Sequence, residues 1–109
     1  MNLEEILISI VRENKSLYDK TDKQFKNTTK KKDLWKLIAI NLKTLYDIDT
    51  TAEAVESRWT SLRDQFTREH RKRKTPPSGS GFTPLKEWEY YRSMMFLIPH
   101  ISHRRYEMN

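Results

Sequence analysis

Apolar residues recur at helical spacing in four separate stretches of this 109-residue chain, and no stretch alternates as a half-buried strand would. Leu3, Ile6, Leu7, Ile10 and Val11 follow the i, i+3, i+4, i+7, i+8 template, which predicts an amphipathic helix over 3–14. Residues 15–29 are polar and turn-rich, with Leu17, Tyr18 and Phe25 available to pin the segment to a core. Leu34, Trp35, Ile38, Ala39, Leu42 and Leu45 predict a second helix over 31–46, followed by a short turn at 47–51. Thr50, with Glu53 three residues on, has the spacing of a capping box, in which each side chain satisfies the other's free backbone N–H. Val55, Trp59, Leu62 and Phe66 then mark a single stripe on a third helix. "TPPSGSG" at 75–81 ends that helix and is the Pro/Gly/Ser-rich linker. Beyond it, Thr83 can cap a fourth helix and Pro84 suits its first position. Trp88, Tyr91, Met95 and Ile98 would form its apolar face, and Pro99 would end it.

The pattern predicts one all-α domain over 1–99, three helices plus a C-terminal fourth, with 100–109 as a loose tail. Its expected core is Ile6, Ile10, Trp35, Ile38, Leu42, Val55, Trp59, Leu62, Phe66, Trp88 and Tyr91.

Composition removes several function classes. A chain of this length buries roughly 60–70% of the surface its unfolded form exposes, enough for one core without staples. It has no cysteine, which excludes disulfides and thiolate zinc sites. The longest apolar run is the five residues from Met94 to Ile98, far short of a membrane span. Glu4 and Glu5 stand where a secretory signal would carry basic residues, so the chain reads as soluble and intracellular. Both glycines fall in the linker, leaving no Gly-rich phosphate loop. No Ser/His/Asp set or isolated carboxylate pair stands out, so neither an enzyme, a cofactor nor a small-molecule substrate is expected. His100 and His103 follow Pro99, and His70 is distant, with no cysteine or acidic cluster to complete a metal site. Trp35, Trp59 and Trp88 each lie on an apolar stripe, which makes them core residues rather than a platform for bases.

The charge is more informative. A net charge of +6 and a pI near 9.6 favour an anionic partner. Residues 51–74 carry seven positive and four negative charges, with five of the positives packed into 68–74. Stepping about 100° per residue from Val55 places Glu53, Ser57, Thr60, Ser61, Asp64, Thr67, Arg68 and Arg71 on the arc opposite the stripe. Arg58 and Arg63 flank the stripe on either side. From Thr67 to Lys74 no apolar residue occurs, so this end should project about 12 Å past the packed part. The helix dipole favours cations at a C-terminus, but two or three would satisfy it. The Lys30, Lys31, Lys32 run can be a phosphate clamp, a nuclear-import element together with 71–74, or a soluble helix start. Cations at a helix N-terminus oppose the dipole, which leans toward a partner anion.

The chain resembles the MADF family, Myb/SANT-like domains of transcription regulators. The resemblance rests on "LISIVRENKSLYDKTDKQFKN" at 7–27, "KKKDLWKLIAINL" at 30–42 and "VESRWTSLRDQFTREHRKRK" at 55–74, with "SGSG" at 78–81 and "WEYY" at 88–91. It implies a three-helix, Myb-type helix-turn-helix bundle with helix three as the recognition element and a fourth helix after it. It also implies sequence-specific DNA binding for some members and protein contacts for others. Base-contacting residues of Myb-like repeats lie around the helix-three tryptophan, which here points to Glu56, Ser57 and Thr60. Many relatives carry a C-terminal protein-interaction motif, the BESS motif; none is read in these residues.

Two functions compete. In the first, the chain is the sequence-specific DNA-binding domain of a nuclear transcription regulator, with helix three (51–74) in the major groove of double-stranded DNA. Glu56, Ser57, Thr60, Ser61 and Asp64 would then lie near base edges. Arg58, Arg63, Arg68, Arg71 and Lys72 would hold phosphates, with Lys30, Lys31 and Lys32 as a second grip. Asp64 fits only if it accepts from cytosine N4 or pairs with an arginine. In the second, the same basic face docks an acidic partner within a transcription or chromatin complex. The basic pI favours DNA; the lack of a base-reading Asn, Gln or Arg in the first turns of helix three favours the rival.

Overall fold

Three α-helices and two 3-10 segments form the regular structure of residues 2–74 and 86–101, those which the computed structural model describes. Helix α1 spans Leu3–Arg12, α2 spans Thr28–Tyr46 and α3 spans Ala52–Lys74. A 3-10 turn at Lys15–Leu17 follows α1, and a longer 3-10 helix at Arg92–His100 closes the fold. No strand occurs among the described residues. The domain is all-helical, with a further helical element after the three.

A short polar side chain starts each α-helix by accepting a free backbone N–H. Asn2 accepts from Glu5 N at 2.9 Å, and Asn27 accepts from Lys30 N at 3.0 Å. The Asn27 cap explains why α2 begins at Thr28, ahead of the residue 31 that apolar spacing suggests. For α3 the expected cap was off by one residue. Thr51, not Thr50, accepts from Ala54 N at 3.1 Å, and alanine cannot reciprocate as the capping box requires. Glu53 instead lies in the first turn, where the helix dipole favours a carboxylate. Helix α2 ends at Asp47 in the left-handed region, φ 57°, and the Ile48 N–H reaches back 3.0 Å to the Leu42 carbonyl.

The predicted stripes meet in one core. Ile6, Trp35, Ile38, Leu42, Val55, Trp59, Leu62, Phe66 and Tyr91 are buried, while Ile10 and Trp88 are half-buried beside them. Helix α1 contacts both α3 and the closing 3-10 helix, so Ile8, off the predicted stripe, is buried as well. Leu45 is 69% exposed, so the buried stripe of α2 stops at Leu42.

The fourth element differs most from expectation. Instead of an α-helix, the chain makes a turn at 89–91 and then a 3-10 helix that carries Pro99 inside it. With three residues per turn, side chains at i and i+3 eclipse. Tyr91, Met94 and Leu97 therefore form the buried line, whereas Met95, placed on the apolar face by the α-helical period, is 45% exposed. The Thr83 cap, Pro84, the 75–81 linker and residues 102–109 of the expected tail lie outside the described residues. His100 and Ile101, also assigned to that tail, are half-buried, and Ile101 packs on the core.

The basic end of α3 does not project freely. His70 stacks on Phe66 at 5.8 Å between ring centroids, and its Nδ1 lies 2.8 Å from the Tyr91 hydroxyl. The Arg73 guanidinium sits 4.5 Å over the Tyr91 ring. An aromatic ring with a polar tip can hold histidine and arginine where no aliphatic residue exists to be packed. Tyr91, from the far end of the chain, thus braces the last turns of α3.

Candidate nucleic-acid interface

Burying Val55, Trp59, Leu62 and Phe66 leaves the opposite face of α3 in solvent, as the helical period requires. Glu56, Ser57, Ser61 and Asp64 are exposed on α3, and Thr60 is half-buried. Thr60 Oγ1 donates to the Glu56 carbonyl at 3.0 Å, and Thr67 Oγ1 donates to the Arg63 carbonyl at 3.0 Å. With its proton committed, the Thr60 hydroxyl keeps acceptor capacity and its methyl group. It can accept from a base amino group or contact a thymine methyl.

The cations divide into paired and unpaired groups. Arg58 Nε donates to Glu4 Oε2 at 2.9 Å, a staple between α1 and α3. Arg63 Nη2 lies 3.3 Å from Asp64 Oδ1, which meets the condition on which a carboxylate can stand near phosphates. Lys72 Nζ is 3.5 Å from Glu69. Arg68, Arg71, Lys30 and Lys32 are exposed and make no ion pair among the described residues. Exposed pairs are worth about 0–1 kcal/mol, so the paired arginines can exchange a carboxylate for a phosphate at little cost.

Lys31 behaves differently from its neighbours. Its Nζ sits 4.1 Å over the Phe25 ring, and it shares a cleft of about 320 Å³ with Arg63, Thr67 and Arg71 of α3. The structure thereby brings the middle of the lysine run beside the third helix. Lys20 and His100 line the same cleft, and neither was singled out for this role by sequence. Charge type was their only signal, because fold alone joins residues 20, 31, 63, 71 and 100.

The connection between α1 and α2 supplies one cleft wall through Leu17, Tyr18, Lys20 and Phe25. Asp19 accepts from Thr21 Oγ1 at 2.6 Å and from Thr21 N at 2.9 Å. These two bonds hold its carboxyl below the ordinary range, and it lies 3.8 Å from His100 Nδ1. Burial pushes the Tyr18 phenol up, and the retained proton is donated to the Arg12 carbonyl at 2.7 Å. Among the described residues no group of three or more His, Cys, Asp or Glu could hold a metal, and no helix is long and apolar enough to cross a membrane.

Three α-helices followed by a further helical element are consistent with a Myb/SANT-like domain. The chain belongs to the MADF DNA-binding family: residues 7–97 match the family described as alcohol dehydrogenase transcription factor Myb/SANT-like. It is also similar to Transcription factor Adf-1 of Drosophila melanogaster, at 29% identity over 99 residues, covering 91% of this chain and 32% of that protein. The chain therefore spans about a third of that relative's length. No solved structure matches it. The family is a DNA-binding one.

Proposed function

We propose that this chain is the sequence-specific DNA-binding domain of a nuclear transcription regulator, with α3 lying in the major groove. The observation that carries the reading is the exposed face of α3, where Ser57, Thr60 and Ser61 present only short side chains. A B-DNA major groove is about 12 Å wide and an α-helix with its side chains about 10–12 Å across, so short residues are what let the helix reach base edges. Glu56 and Asp64 border this face as acceptors for cytosine amino groups. Arg63, Arg68, Arg71 and Lys72 run along the same helix toward the backbone, and Lys30, Lys31 and Lys32 grip it from α2. Arg58 joins them by exchanging Glu4 for a phosphate. The family supports DNA as the partner, and the relative's description as a transcription factor supports the regulatory role and the nucleus as its place.

Reading and gripping should be separable. Ser57→Ala or Thr60→Ala should each weaken binding to the preferred site by about 1–2 kcal/mol, and binding to a scrambled duplex much less. Both probes are measured at one salt concentration, with melting curves to confirm that the fold is intact. If the preferred-to-scrambled ratio does not move, this face is not the reader.

A further inference from the structure

We propose that the cleft between α3 and the α1–α2 connection is a docking site for an acidic peptide segment carrying one bulky aliphatic side chain. This is a second binding function, and it shares Lys31, Arg63 and Arg71 with the proposed phosphate grip, so peptide and duplex should compete for these cations. The cleft wall is cationic: Lys20, Lys31, Arg63 and Arg71 face it, and no carboxylate is among its lining residues. Two acids pair with lining residues, Asp64 with Arg63 and Asp19 with His100, and Asp19 also accepts from Thr21. A concave site lined by one sign of charge focuses its field, so an anionic ligand is favoured there above the open surface. Lys20 and Arg71 have no ion-pair partner among the described residues, which leaves both for carboxylates.

The floor decides which anion. Ile101, partly exposed, forms it together with the nearly buried Leu17 and Leu97. A DNA backbone presents its phosphates on a convex rail; it could touch the cationic rim but would leave this floor in water. An unstacked base is also disfavoured, because the aromatic faces are taken. Tyr18 packs edge-on against Phe96 and His100 at centroid distances of 5.0 and 5.1 Å, and the Lys31 ammonium covers Phe25 at 4.1 Å. An aliphatic side chain on the floor, flanked by carboxylates reaching the arginines and lysines, uses both parts of the lining.

The probe is a fluorescein-labelled acidic peptide of about ten residues with two central leucines, titrated into the 109-residue chain by anisotropy. Lys20→Glu should weaken it about tenfold, since a charge-assisted contact becomes a repulsion. Lys23→Glu is the charge-matched control: Lys23 is exposed in the same segment, lies outside the cleft and should change affinity less than about twofold. Replacing the peptide's leucines by alanine should cost five- to tenfold, roughly the value of half-burying an aliphatic side chain. Equal effects of Lys20→Glu and Lys23→Glu, or indifference to the leucines, would reduce the binding to diffuse charge and overturn the proposal. So would a Lys20→Glu protein that loses duplex DNA while keeping the peptide, because the cleft would then be a phosphate seat. The duplex is titrated in parallel, so a failure of the peptide site and a failure of DNA binding are read from different curves.

Discussion

Replacing Lys30, Lys32, Arg68 and Arg71 together by alanine should lower affinity for every duplex by about three orders of magnitude near 0.1 M salt. These four cations are exposed and have no ion-pair partner among the described residues, so nothing within the fold competes for them. Each phosphate neutralised releases condensed counterions and contributes about 0.9 to the slope of log K against log salt. With ~4–6 phosphates held, the unmodified chain should show a slope of about −4 to −5, and the fourfold variant one close to −1. The ratio of preferred to scrambled binding should survive, because phosphates carry no sequence information. Stability should be nearly unchanged or slightly raised, since Lys30 and Lys32 lie in the first turns of α2, where the dipole disfavours cations. A salt slope that the four substitutions leave intact would place the grip elsewhere on the molecule.

Trp59→Ala should cost about 3–5 kcal/mol, the usual range for emptying a buried aromatic site. That is a large share of the roughly 5–15 kcal/mol by which domains of this kind are stable. Trp59 is 2% exposed on the inner face of α3, and its ring lies nearly parallel to Phe96 of the closing 3-10 helix at 6.5 Å. It joins the helix proposed to read DNA to the element that braces the rest. Its Nε1 is buried with no hydrogen-bond partner among the described residues. Trp59→Phe therefore breaks no hydrogen bond, removes an orphaned donor and should cost well under half of the alanine change. Urea unfolding of the two variants checks this; an unchanged midpoint for Trp59→Ala would mean that this residue does not hold the core together.

The parts of the fold legible in sequence are those governed by one local period. Helix α3 buries a single stripe, so its spacing named Val55, Trp59, Leu62 and Phe66 correctly; in α1 spacing named Ile6 but missed Ile8, which a second packing partner buries. Helix α2 carries apolar residues on its outer side too, with Leu37 and Ile40 exposed, yet spacing named Trp35, Ile38, Ala39 and Leu42 correctly and missed only at Leu45. The closing element was misread because tertiary packing selected a three-residue period, which turns Met94 inward and Met95 outward.

Much the same division holds for the candidate site. The outward placement of Ser57 and Ser61 follows from the helical wheel, and the Asp64–Arg63 pair joins sequence neighbours. The Arg58–Glu4 staple links residues 54 positions apart, and the cleft gathers residues 20, 31, 63, 71 and 100; no local pattern encodes either. Tyr91 under His70 and Arg73 is the same kind of contact, and it turns an apparently free charged end into a supported one.

The most direct test of the DNA-reading face is a selection of bound sequences from random duplex DNA, run in parallel on the unmodified chain and on a Ser57→Ala, Thr60→Ala double variant. An enriched motif is expected for the unmodified chain, and at one or two of its positions the double variant should lose the preference while still binding. No enrichment, or an identical motif from both proteins, would contradict the assignment of α3's outer face as the part that reads DNA.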